Sequence, residues 1–169
     1  MSFFARLKRN TCVSGTFAAL LSAAMLLHRS RRDGGTPVAA LNAVSHWLHG
    51  DDAYHADRPD LRHTLLGGVT HGLSAMMWAA LHEALIAGMV RSSDASDRPL
   101  APRGSEPSVG DVLLTAAVVT GVAAITDLRL VPPRLSPGFE HRLRPASLAG
   151  VYAAFGAGLA LRALLAKRY

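Results

Sequence analysis

The sequence predicts an all-α fold: an integral-membrane four-helix bundle carrying one additional short helix, interfacial or re-entrant. Three observations carry this expectation. Half of the 169 residues are hydrophobic, and they gather into four long runs instead of spreading through the chain. Only 18% are charged, below the roughly 25% usual in soluble domains. The Lys and Arg residues fall mainly in short segments beside the apolar runs, where juxtamembrane charges belong. The length suits a single membrane domain, residues 1–169. The formal charge of +6 does not point to nucleic acid, because no basic patch is interleaved with aromatics.

The first span covers residues 11–27, behind a basic start at Arg6, Lys8 and Arg9. A basic start before an apolar run also describes a signal peptide. Here the run leads straight into the basic cluster 28–32 without a small-residue cleavage site, so an uncleaved helix is expected. Its Gly15, Ala19 and Ala23 share a face suited to close packing. Asp33-Gly34-Gly35 turns the chain into a short helix at 37–49, too short to span and expected to be buried or interfacial, with Trp47 suited to the interfacial belt. A polar loop over 51–60 precedes the second span, 64–90. Residues 91–108, rich in Pro, Gly and alternating charge, read as an exposed loop. The third span is 109–126, followed by a connector in which Pro132, Pro133, Pro137 and Pro145 exclude a long helix. The fourth is 146–166, where Ala146, Gly150, Ala154 and Gly158 form a small-residue ladder. Lys and Arg divide almost evenly between the two ends of such a bundle, so the positive-inside rule does not orient it.

Polar residues inside such runs are the candidates for function, because each must face protein or a water-filled cavity. Asn42, His46 and His49 share a face of the short helix, and Arg62-His63 opens the second span nearby. Imidazoles one turn apart can chelate a transition metal; the bland alternative is that they bond backbone or water. Within the second span, Gly67, His71, Ser74, Trp78 and His82 share one face. His71 and His82 lie roughly 16 Å apart along the axis, too far to hold one ion. They suit axial ligation of two haems or stations on a proton path, against the alternative of simple packing. Gly67, Gly68 and Gly72 thin the helix there, and Glu83 is expected near the membrane interface. The third group is Asp127, Arg129, Arg134, Glu140, His141, Arg142 and Arg144 in the proline-stiffened connector. Four spans place this connector at the same end as His46, His49 and His63. Metal or ligand binding is therefore expected at His46, His49, His63, His71, Asp127 and Glu140. Arg62, Arg134 and Arg142 are expected to meet an anion or lipid headgroup, with Asn42, Trp78 and His82 in support.

Asn-Ala-x-Ser-His-Trp-Leu at 42–48, Leu-Arg-His-Thr-Leu at 61–65 and Val-Pro-x-Arg-Leu-Ser-Pro-Gly-Phe-Glu at 131–140 resemble segments of a family of small bacterial inner-membrane proteins. The resemblance implies that location and no activity. Three functional classes follow from the residues themselves. The first is a protein that binds a metal, haem or lipid at the loop-side mouth, or serves as an assembly partner of itself or of another membrane protein. The second is a metal-dependent enzyme acting on a lipid-phase substrate. The third is a small transporter or proton-coupled channel using His71 and His82.

Overall fold

The computed structural model describes residues 2–95 and 107–166. The expected loop over 91–108 lies largely outside them, although the second long helix runs on to Ala95. The helices are α1 (Phe3–Arg32), α2 (Ala39–Ala43), α3 (His46–His49), α4 (Leu66–Ala95), α5 (Val109–Ile125) and α6 (Pro145–Ala166). A π turn, Leu61–Leu65, leads into α4, and another, Thr126–Leu130, extends α5. Four stretches, Phe3–Arg32, Leu61–Val90, Val109–Leu130 and Pro145–Ala166, are each long and apolar enough to cross a membrane. No strand occurs among the described residues.

Local chemistry sets the helix ends. Ser2 caps α1 by accepting from the Ala5 amide at 3.3 Å. At the far end Gly34 takes a positive φ of 97°, and the Gly35 amide returns to the Ser30 carbonyl at 3.0 Å. At about 1.5 Å per residue α1 exceeds the roughly 30 Å of hydrocarbon. It therefore runs beyond the expected 11–27, with basic residues at both ends. Ser108 and Asp111 form a capping box on α5, each bond 3.0 Å. Pro145 opens α6, where its missing N–H loses nothing.

The expected helix over 37–49 is two pieces. Ser45 donates its hydroxyl to the Asn42 carbonyl at 2.7 Å, offering the backbone a competing bond where the helix breaks. Residues 39–46 are all buried, wedged against α1 and α4 at the loop end of the bundle, one of the two settings the sequence allows.

The four long helices form a ring in the order α1, α4, α5, α6, with α1 packed along both α4 and α6 and α5 held more lightly. Small residues permit the close contacts. A Cβ on Gly158 would collide with the Ala18 backbone of α1, and one on Gly15 would meet Met76 and Ala79 of α4. The interior layer is Ala18, Ala75, Ala79, Val119, Phe155 and Leu159. The large apolar residues point outward: Leu65 of the π turn and Val69, Leu73, Met77, Leu81, Leu85 and Met89 of α4 make an exposed row at four-residue spacing. An apolar exterior over a small-residue interior is the pattern of helices solvated by lipid.

Candidate functional site

The loop end is a clasp between two segments far apart in sequence. Trp47 donates its indole N–H to the Ser136 carbonyl at 2.8 Å. His46 lies with Nδ1 3.0 Å from the Ala43 carbonyl and Nε2 3.3 Å from the Pro133 carbonyl. Arg142 donates to the Tyr54 carbonyl at 2.6 Å and pairs with Asp57. Gly138, at φ 86°, passes so close to the Ala43 carbonyl and the His46 ring that a side chain there would collide with both. Tyr54 stacks between His46 and His141, with ring centroids at 5.1 and 4.5 Å. Burial holds its phenol above the ordinary value, helped by the negative charges of Glu140 and Asp51.

Asn42 locks the same end. Its amide donates to the carbonyls of Ala56 and Arg58 at 2.9 and 3.0 Å, and its oxygen accepts from Thr64 at 2.7 Å. Asp60 starts the second membrane helix by accepting from the His63 amide at 2.5 Å and from its ring at 3.0 Å. Those bonds, the ring's first, hold the Asp60 carboxyl below the usual range.

Behind the clasp lies a cavity of about 230 Å³ reached by all four long helices. Its walls are mainly apolar, with the rings of Trp47, Trp78, Phe139, Tyr152 and Phe155. Two polar pairs interrupt them. On one side Tyr152 donates its hydroxyl to Asp127 at 3.0 Å. On the other, His71 Nε2 lies 2.8 Å from Ser22 Oγ, which itself lies 2.6 Å from the Ala18 carbonyl. A carbonyl only accepts, so the Ser22 proton goes to Ala18 and His71 Nε2–H donates to Ser22. A neutral ring then keeps its lone pair on Nδ1. Met77 and Leu135 line the cavity while 58% and 50% exposed, so it reaches the apolar exterior of the bundle.

A second polar site sits toward the other end. Glu83 is 2% exposed and accepts from Ser14 at 2.5 Å and from Arg162 Nε and Nη2 at 2.9 and 2.7 Å. Glu83 is thus turned into the interior of the bundle. His82 is fully buried beside it, with Nδ1 3.7 Å from the carboxylate and neither ring nitrogen hydrogen-bonded among the described residues.

This arrangement distributes the residues expected at the loop mouth and those expected within the span. His46 is buried, with both nitrogens against carbonyls. His49 and His63 pair edge to face at 5.2 Å on the outer side, and His49 Nε2 lies 3.2 Å from the Arg62 carbonyl. His71 and Asp127 line the cavity with Trp78. Glu140 lies by His141 at 3.8 Å, Arg142 is committed to the clasp, and Arg134 is exposed. Among the described residues no three His, Cys, Asp or Glu converge as a metal site. Ser14, Ser22, Tyr152 and Arg162 were not singled out by sequence, and Glu83 was noted without its partners. The usable signal was that Glu83 and Arg162 are the lone charges of their apolar runs. No family model matches this chain, and no curated protein or solved structure is similar to it.

Proposed function

We propose that this protein is a membrane-embedded receptor for a molecule that lives in the lipid phase, in the bacterial inner membrane that the sequence resemblance implies. The single observation that supports the reading is the cavity: mainly apolar, lined by five aromatic side chains, open to the apolar exterior, and carrying two separated polar pairs. That combination fits a ligand with an apolar body and a polar group that needs orienting. The volume of about 230 Å³ is below the roughly 300–1,000 Å³ that encloses a drug-sized ligand. The cavity therefore takes one end of the molecule and leaves the rest in lipid. The clasp supplies rigidity, because the loop bearing Leu135, Pro137 and Phe139 is pinned to Trp47 and His46.

The test is to purify the protein in nanodiscs and identify retained lipid-phase molecules by native mass spectrometry. Ala75→Leu and Ala123→Leu push side chains into the space from two helices. The expected result is a retained species that both variants lose while keeping their helical circular dichroism. An identical set of retained molecules in the parent and both folded variants would overturn the reading.

A further inference from the structure

The cavity has a charge pattern that selects among lipid-phase ligands. Asp127 is a carboxylate set in its wall, and none of the residues lining the cavity is Lys or Arg. Its one hydrogen-bond partner among the described residues is the Tyr152 hydroxyl, a neutral donor. Glu140, on the turn Phe139–His141, lies near enough for its charge to act on both Asp127 and Tyr152. In the connector, the Arg142 guanidinium is committed to Asp57 and the Tyr54 carbonyl, and Arg129, Arg134 and Arg144 are not among the lining residues. Aromatic faces make up much of the remaining wall, and each presents negative charge density to a cation placed over it. Contrast the buried carboxylate Glu83, which has its own guanidinium. One acid is neutralised within the protein; the other borders open space.

We propose that the cavity binds a lipophilic cation, an amine or quaternary ammonium attached to an apolar body, with Asp127 as its counter-ion and the aromatic walls around its head. This rests on the reading of the cavity as a lipid-phase receptor site and narrows it to one class of ligand. A desolvated cation meets an opposite charge without having to displace a resident one, and the rings replace part of its hydration. An anionic lipid finds neither partner there. The groups facing Asp127 are Tyr152 from α6, Glu140 from the connector and His71 across the cavity from α4. Protons and the cation therefore compete for the Asp127 carboxylate, and a charged His71 acts in the same direction as a protonated Asp127.

Both tryptophans of the chain, Trp47 and Trp78, line the cavity, so intrinsic fluorescence reads its occupancy directly. The full-length protein in nanodiscs is titrated with 4-bromobenzyltrimethylammonium and with 1-bromo-4-neopentylbenzene, the neutral isostere in which carbon replaces nitrogen. Bromine quenches, and the unbrominated analogue of each probe defines the displaceable part. The expected result is displaceable quenching by the cation at an affinity at least about tenfold above that of the isostere. Asp127→Asn abolishes that preference while the isostere still binds, which also reports a folded cavity. Asp127→Glu, should the amide variant fail to fold, keeps the preference, and lowering the pH through the carboxylate range removes it. Equal affinity for the two probes, or a preference untouched in folded Asp127→Asn, overturns the cation assignment and leaves the lipid-phase receptor standing. No displaceable quenching by either probe sinks both.

Discussion

A carboxylate inside a bundle is tolerable only when a cation and hydrogen-bond donors reach it together, and Glu83 has both. Arg162 and Ser14 come from the fourth and first spans, so three helices meet at one ion pair. Removing a single partner strands a buried charge, at about 3–5 kcal/mol. Arg162→Met is therefore expected to lower stability strongly in a denaturant titration in micelles. Glu83→Gln combined with Arg162→Met should recover most of that loss, since a neutral pair needs no compensation. A double variant as unstable as the single one would count against the pair as an electrostatic unit. This contact was within reach of the sequence, because two lone charges of opposite sign in separate spans invite pairing. What spacing could not provide was rotation: whether Glu83 pointed at α1 or at lipid depended on how tightly Gly15 lets α4 approach.

Among the elements, the glycines of α4 separate two roles that look alike in sequence. Gly67 faces the Leu41 carbonyl of α2, and a Cβ there would strike a backbone atom that cannot swing aside. Gly68 and Gly72 have nothing within 4 Å of such an atom. Gly67→Ala should thus destabilise by about 1–3 kcal/mol through overpacking. Gly68→Ala should be neutral or stabilising by up to about 1 kcal/mol, because alanine loses less entropy in a helix. Unfolding midpoints of the two variants test this, and equal effects would refute the assigned contact. Ser108→Ala, which opens the capping box, should cost about 1 kcal/mol in the same measurement. The four spans were legible because an apolar run of membrane length satisfies its own backbone as a helix and leaves its side chains to lipid. Residues 146–166 became Pro145–Ala166 almost unchanged. The 37–49 segment was not legible in this way. Its break depends on the Ser45–Asn42 bond and its burial on long-range contacts, neither of which periodicity encodes.

At the scale of the whole molecule, distant ends are joined by polar bonds while the middle is lined by apolar side chains. Asp33, at the end of α1, accepts from the Arg144 amide at 2.8 Å just before α6. That bond, outweighing a desolvation effect of opposite sign, holds the Asp33 carboxyl below its ordinary value. A lowered folded value stabilises above the unfolded one, near about 4, and the benefit disappears as pH falls through the folded value. Parent protein should therefore lose stability on acidification over that window by more than Asp33→Asn does, as read by unfolding midpoints; parallel curves would contradict the linkage. The middle of the bundle makes a different prediction. His71 with Ser22 and Glu83 with Ser14 are separated along α1 by eight residues, about 12 Å of helix, and that interval holds the buried Ala18, Ala75, Ala79, Phe155 and Leu159. No titratable side chain belongs to this layer, so a proton entering the cavity meets an apolar barrier before it reaches Glu83. A receptor site open to lipid tolerates such a barrier; a proton channel through His71 and His82 does not. Vesicles containing the parent protein should hold an imposed pH gradient as long as protein-free vesicles do, monitored with an entrapped pH-sensitive dye. Rapid collapse of the gradient that His71→Ala slows would show that the layer opens, and would move the functional reading from a receptor to a conductor of protons.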